Sequence, residues 1–349
     1  MTATTTSTPQ TDTSPRLQLF QLLTGHYVSH ALYVAAKLGI ADLLADGPRP
    51  LAELAQATKT HGPSLHRLLR LLASSGVLVE ADAGTFALTP IGECLRSDVE
   101  GSSRAVALLF AGPLMRAWTE LLFSVQTGEA AFERVFGVKP FEYMPQHPDE
   151  AVIFNEAMTA VSAHTAKGVP AAYDFSEFRT VVDAGGGHGV LLAAILKANP
   201  NAKGILFELP HVADGARKNL AALGLSERCD VVAGDFFESV PAGADVYILK
   251  SVIHDWNHEQ SVTILQNCRR AMRPSGRLLL VELVLPSRVD QSLRNQIGTG
   301  SDINMLVNAG GRERTDSDFA ELFAAARFKL TRIVPVEGSL VSVLEGVPV

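Results

Sequence analysis

Cysteine, positive charge and long apolar runs are what this chain has least of. It has three cysteines in 349 residues, Cys94, Cys229 and Cys268. They are odd in number, far apart and in no C-x-x-C pair. That excludes a disulfide scaffold and a zinc ribbon, and it fits a reducing compartment. Thirty Lys and Arg face thirty-seven Asp and Glu, a net charge of −7. Nucleic-acid binding needs clustered cations against phosphates, so it is the first class to fall away. No stretch reaches the ~18 uninterrupted apolar residues of a membrane span. Leu278–Leu285 is apolar, but it is short and carries Glu282. Met1–Pro15 is rich in Thr, Ser and Pro, with no basic residue and no apolar segment. It reads as a disordered tail, not a signal peptide. The expectation is a cytoplasmic protein with no membrane and no nucleic-acid partner.

What the chain does have is core. Apolar residues make up 47% and charged residues 19%, enough for about two domains at ~150 residues each. From residue 16 to 101 the text is helical and closes in a small hairpin. Leu51–Ala57 and Ser64–Ser74 are two short helices, and Gly76–Glu80 and Thr85–Leu88 flank Ala-Asp-Ala-Gly as a two-stranded wing. That is a winged-helix pattern, whose sharp reading is DNA binding. The bland reading, a protein-packing module, is stronger. Residues 17–100 hold six Lys/Arg against eight Asp/Glu, and the second helix is mostly leucine and should be buried. Residues 102–172 are again helical, with scattered aromatics and methionines, including Phe110, Trp118, Phe154 and Met158. Most of these read as core, and a few could line a pocket facing the next domain.

From residue 173 to 349 the pattern becomes strand, helix, strand, helix. Strands are expected at Thr180–Ala184, Lys203–Glu208, Asp230–Ala233, Ala244–Lys250, Arg277–Leu285, Lys329–Val334 and Leu340–Leu344. Helices between the first five imply right-handed crossovers and a mostly parallel sheet. The last two strands lack a long helix between them, so the final one should run antiparallel at or near the edge. The fold class is α/β: a Rossmann-like, doubly wound, seven-stranded sheet behind an N-terminal winged helix. Ligands in such sheets bind beyond the carboxyl ends of the strands.

Three of those ends carry acids. The first strand runs into Asp183-Ala-Gly185-Gly186-Gly187-His188-Gly189, a turn whose glycines let backbone N–H groups approach a ligand. A nicotinamide fingerprint would need glycine at position 190, where Val190 stands, and no phosphate-binding G-x-x-x-x-G-K-[ST] loop exists. Asp183 beside the glycines favours a cationic or zwitterionic ligand over a pyrophosphate. Glu208, 23 residues after Gly185, suits the hydroxyls of a ribose. Asp235 followed by Phe236 offers an acid for an amino group and a ring for stacking. Either acid alone would read as a solvated loop residue.

With these motifs in view the chain resembles the S-adenosylmethionine-dependent O-methyltransferases of the plant caffeate and bacterial polyketide-tailoring type. The matching motifs are Val-Val-Asp-Ala-Gly-Gly-Gly-His-Gly, Phe-Glu-Leu-Pro-His-Val, Ala-Gly-Asp-Phe-Phe, Leu-Lys-Ser-Val-Ile-His-Asp-Trp and Gly-Gly-Arg-Glu-Arg-Thr. The resemblance spans nearly the whole chain from about Arg16. Two positions depart from the usual pattern: Glu208 stands for Asp, and His188 often appears as Thr. The resemblance implies a homodimer through the N-terminal domain, a small aromatic substrate and no metal. It implies that Asp183, Gly185, Gly187, Glu208, Asp235, Phe236, Lys250 and Ser162 hold S-adenosylmethionine. It makes His254 the general base, flanked by Glu282 and Glu313. Phe154, Met158, Asp255, Met305 and Asn308 fall at substrate-lining positions, with a one-residue gap before Gly310.

The chemistry suits those residues. A phenol with pKa near ~10 is mostly protonated at neutral pH, and an imidazole near ~6.5 can take its proton as the methyl transfers. A carboxylate on the other ring nitrogen would fix the tautomer; Glu313, Glu282 or both could serve. His254 and His258, four apart on an expected helix start, faintly suggest a zinc pair, but no third ligand is evident. Glu313 between two arginines could be only a solvated charge cluster. Glu282 inside a Leu/Val run needs a partner. Two rival functions stay open: a relative that binds the same cofactor for decarboxylation, hydroxylation or pericyclic chemistry, and a winged-helix regulator.

Overall fold

The computed structural model describes residues 14–349. The expected tail therefore lies outside the described residues, except that Ser14 caps and Pro15 begins the first helix, Pro15–Leu23. The chain divides between Ser97 and Asp98 into two compact units. The helical region 102–172 thus clusters with the large sheet and forms no unit of its own.

In the smaller unit, helices Leu51–Thr58 and Gly62–Ser74 precede an antiparallel hairpin of Leu78–Asp82 with Thr85–Leu88. A third short strand, Arg49–Pro50, pairs with Thr85 and Phe86; no sequence signal marked it. Leu65, Leu69 and Leu72 recur at i, i+4 and i+7 and are buried. Arg67 and Arg70 face outward. The leucine-rich helix is therefore buried along one face only, because a helix cannot turn every side chain inward.

The larger unit is built on β1 (Thr180–Ala184), β2 (Lys203–Glu208), β3 (Cys229–Ala233), β4 (Val246–Lys250), β5 (Arg277–Leu285), β6 (Phe328–Pro335) and β7 (Val341–Pro348). Their order across the sheet is β6-β7-β5-β4-β1-β2-β3. The five strands β1 to β5 pair in parallel. The final strand, β7, lies between β5 and β6 and is antiparallel to both. Strand order reverses between β1 and β4, so the ligand crevice opens above Asp183 and Lys250. Buried Val181, Leu206, Val246, Ile248, Leu279 and Val343 form part of the core on one side of the sheet. Beyond Glu282, β5 continues far enough for Val284 and Leu285 to pair with Arg314 and Thr315. That short pairing brings residues near 313 to the strand ends. Among the described residues no single helix is long and apolar enough to cross a membrane.

Candidate active site

The glycine turn folds tightly around Asp183. Gly185 and Gly187 have φ of +73° and +58°, and a Cβ on Gly186 would lie 2.5 Å from the Asp183 carboxyl. Asp183 is fully buried, and among the described residues neither of its oxygens has a partner at hydrogen-bond distance. Burial pushes its carboxyl up to about 7, opposed by Lys250 and reinforced by Glu208, with a smaller lowering pull from the Leu192 N–H. Glu208 reaches back across the turn: Gly187 N–H donates to one oxygen at 2.9 Å and Leu209 N–H to the other at 2.8 Å. Burial raises the Glu208 carboxyl above its usual range. Asp235 Oδ1 accepts from Phe237 N–H at 2.8 Å. A Cβ on Gly185 would meet Val252 at 2.9 Å and Phe236 at 3.4 Å, which puts that ring beside the turn. Lys250, at the end of β4, is depressed by burial and feels both Glu282 and Asp183. A buried acid without a partner costs free energy unless a ligand supplies one. The pocket's acids, glycine N–H groups and ring fit a cationic aminoacyl nucleoside. Ser162 is half-buried on the helix Pro148–Ala166, and its side chain makes no hydrogen bond among the described residues. Like Asp235, it is an expected cofactor residue that no contact among the described residues ties to this turn.

The second cluster surrounds His254. This residue lies in a 3₁₀ turn, Ile253–Asp255, and not on a helix. The following helix starts only at His258, because Asn257 and Gln260 form a capping box there. His258 is exposed, so the two histidines do not share a helix face and the suspected zinc pair does not form. Glu282 Oε1, from β5, accepts Val252 N–H at 3.0 Å and Ile253 N–H at 2.8 Å. Its other oxygen lies 3.6 Å from His254 Nδ1. Glu313 Oε1 lies 3.0 Å from the same nitrogen and accepts the Ser301 hydroxyl at 2.7 Å. Both glutamates therefore face Nδ1: Glu313 bonds it directly, and Glu282 anchors the turn. Ligand atoms of His254, Glu282 and Glu313 gather within 4.8 Å, a grouping with the chemistry to hold a cation; the 3.0 Å Nδ1–Oε1 contact has the length of an ordinary N–H···O hydrogen bond.

Electrostatics there favour a charged ring. Burial alone would lower His254, but Glu282, Asp255 and Glu313 outweigh it and raise the imidazole to about 10. Burial raises Glu282, and it pushes Asp255 up to about 6 against the pull of His254. Asp255 Oδ1 sits 3.8 Å from Nε2. Gly311 permits the closure: a Cβ there would fall 2.0 Å from the His254 carbonyl oxygen.

Of the expected substrate residues, Phe154 and Met158 lie against the buried cluster of Leu109, Phe132, Tyr143 and Val307. Met305 is half-buried and Asn308 buried on the helix Leu293–Asn308. Sequence reasoning missed Asn304. Its Oδ1 accepts Trp118 Nε1 at 2.9 Å and Asn308 Nδ2 at 2.9 Å. That leaves Asn308 Oδ1 a buried acceptor without a partner among the described residues. A separation of 186 residues between Trp118 and Asn304 leaves no local signal to find.

Comparison with known proteins adds to this geometry. Residues 118–329 match the O-methyltransferase domain family, and residues 20–98 match the O-methyltransferase dimerisation domain. A phenazine O-methyltransferase of Lysobacter antibioticus is 48% identical over 331 residues, 95% of this chain and 96% of that protein. The crystal structure of a mitomycin 7-O-methyltransferase superposes with a TM-score of 0.89 at 38% identity, covering 96% of this chain and 98% of that one. An O-methyltransferase from neocarzinostatin biosynthesis, solved with S-adenosylmethionine and a hydroxymethylnaphthoic acid, has a TM-score of 0.80 at 34% identity, over 92% and 96% of the two chains.

Proposed function

Because the chain belongs to the S-adenosylmethionine-dependent O-methyltransferase family, we propose that it methylates a hydroxyl of a fused-ring aromatic small molecule, with His254 as general base. The observation that carries this is the His254 pairing: Nδ1 is held at 3.0 Å by Glu313, which leaves Nε2 as the working nitrogen. When bound, S-adenosylmethionine supplies an electrophilic methyl on a sulfonium, which needs an acceptor oxygen in line with it. Asp183, Gly185, Gly187, Glu208, Asp235, Phe236 and Lys250 hold that cofactor, with Ser162 from the neighbouring helix.

In its neutral form, the minority at neutral pH because the neighbouring carboxylates raise the ring to about 10, His254 takes the phenolic proton at Nε2, and the Glu313 carboxylate stabilises the resulting imidazolium through Nδ1–H. With the ring at about 10 and a phenol near ~10, the proton passes between them at little cost. Phe154, Met158 and Met305 present apolar surface to the aromatic ring. Asp255 shapes the polar edge beside Nε2, and Asn308 Oδ1 offers an acceptor for a substrate N–H or O–H.

The chain works as a homodimer. Helix Pro15–Leu23 buries none of its residues, and Phe20 and Leu22 are 62% and 80% exposed. Apolar side chains left in water on that scale call for a partner, and a second copy fits the dimerisation domain. Sedimentation should give twice the 37.3 kDa chain mass. The deciding experiment is mass spectrometry of hydroxyphenazines, hydroxyquinones and naphthols incubated with protein and methyl-labelled cofactor. Label on oxygen is the expected result; conversion without label would replace methyl transfer by another reaction.

A further inference from the structure

We propose that Arg314 is a positioning residue for His254: its guanidinium grips both sides of the turn that carries the imidazole. This inference rests on the reading of His254 as base. Arg314 is 2% exposed. Its Nη1 donates to Ile253 O at 2.8 Å, and its Nη2 donates to Trp256 O at 2.9 Å and to Ser261 Oγ at 3.0 Å. A weaker bond runs from Nη1 to the carbonyl of Arg312 at 3.4 Å. Ile253 and Trp256 flank His254 and Asp255, so two arms of one fork hold the two ends of a short turn. Carbonyls at such a turn have few partners of their own, and buried ones must find a donor.

The same turn is held from its other side by an anion. Glu282 accepts the N–H groups of Val252 and Ile253, while Arg314 donates to the C=O groups of Ile253 and Trp256. Both clamps are referenced to one strand: Glu282 lies within β5, and Arg314 pairs in register with Val284 of β5. The neighbouring residue, Glu313, carries the carboxylate on Nδ1. One rigid edge therefore sets the imidazole's place, its tautomer partner and the backbone that bears it. Burying a guanidinium opposes its charge, a cost an apolar residue would avoid if the only need were filling space. A planar fork reaches two carbonyls at once, which an ammonium on a flexible stem cannot do.

The test compares Arg314→Lys, which keeps the charge, with Arg314→Gln in the full-length protein. Readouts are kcat and KM for a free phenol or naphthol that the native protein methylates, cofactor affinity by calorimetry, and the low-field proton resonance of the His254–Glu313 bond. Both variants should lose about 10- to 100-fold in kcat, since an ångström of misplacement costs on that order. KM and cofactor affinity should stay within about threefold, and the low-field resonance should shift or broaden. On a His254→Ala background neither substitution should lower the residual rate more than about twofold. An unchanged kcat overturns the inference, as does a loss of equal size on the His254→Ala background, which would make Arg314 a residue of the fold alone. Should neither variant fold, Ser261→Ala, which removes a partner of Nη2, carries the same decision. A kcat loss without a KM change supports the clamp, and unchanged kcat with an unmoved resonance overturns it. If His254→Ala itself retains full turnover, the base assignment fails, while the resonance still reports whether Arg314 holds the ring.

Discussion

Two groups of buried acids stand at the same edge of the sheet, and they are treated in opposite ways. Around the glycine turn, among the described residues, Asp183 has no partner at hydrogen-bond distance, and Glu208 accepts from two backbone N–H groups. Around His254, Glu282 and Glu313 converge on one imidazole nitrogen, with Ser301 and two further backbone N–H groups in attendance. The first group has Lys250 nearby but no donor on Asp183 among the described residues, so a cationic ligand would stabilise it further. In the second, one oxygen of Glu313 is bonded to the His254 ring and one of Glu282 to the turn, so the imidazole is placed before any ligand binds.

The largest expected break in that contrast comes from His254→Ala. Without the ring, kcat should fall by about 10²- to 10⁴-fold, while cofactor affinity at the other cluster stays unchanged by calorimetry. Equal losses in both would show that the two clusters are one site energetically.

Glu313→Gln is next in size. It replaces a charged acceptor by a neutral amide oxygen, weakening a hydrogen bond worth about 1.5–3 kcal/mol, so kcat should drop by up to about 10- to 100-fold. It should also displace a pH profile. In the free protein the neighbouring carboxylates raise His254 to about 10, so kcat/KM should climb with pH until that value is approached. Removing one negative charge weakens the ring's hold on its proton, and the rise should move to lower pH. A rise that stays in place would detach Glu313 from the titration. The same raised value contributes stability that is present below the ordinary imidazole pKa and is lost as pH rises through about 10.

Asp183→Asn should give the smallest effect and the sharpest separation. Burial raises Asp183 to about 7, so its charged form fades as pH falls below that point, by up to about tenfold per pH unit. Affinity for the cationic cofactor should weaken accordingly below neutrality in the native protein and become flat with pH in the variant. At saturating cofactor, kcat should barely change. A variant whose affinity keeps the native slope would place the titrating group elsewhere.

Much of this architecture was legible before any coordinates. The alternation of Val, Ile and Leu runs with helical stretches marked the parallel strands to within a residue or two, because a buried strand is a local composition. The acids at positions 183, 208 and 235 could be placed at strand ends by counting. The helix expected over Glu259–Met272 runs from His258 to Ala271, but His254 does not share its start: Asn257 and Gln260 cap the helix and leave His254 in the turn before it. Arg312 and Arg314 looked alike in the sequence, yet Arg312 is exposed and Arg314 is buried against the turn. Nothing in a run of three charges says which will face inward.

By itself the sequence determined the sheet, the glycine turn, the family and the short list of residues able to do chemistry, since each of these follows from neighbours within a few positions. Only the tertiary structure decided which of those residues meet. Glu282 and Glu313 lie 28 and 59 positions along the chain from His254, and Trp118 and Asn304 are farther apart still. Such contacts depend on how the strands are ordered and how far β5 extends, and that order is set by packing the whole core, not by any segment's own preference.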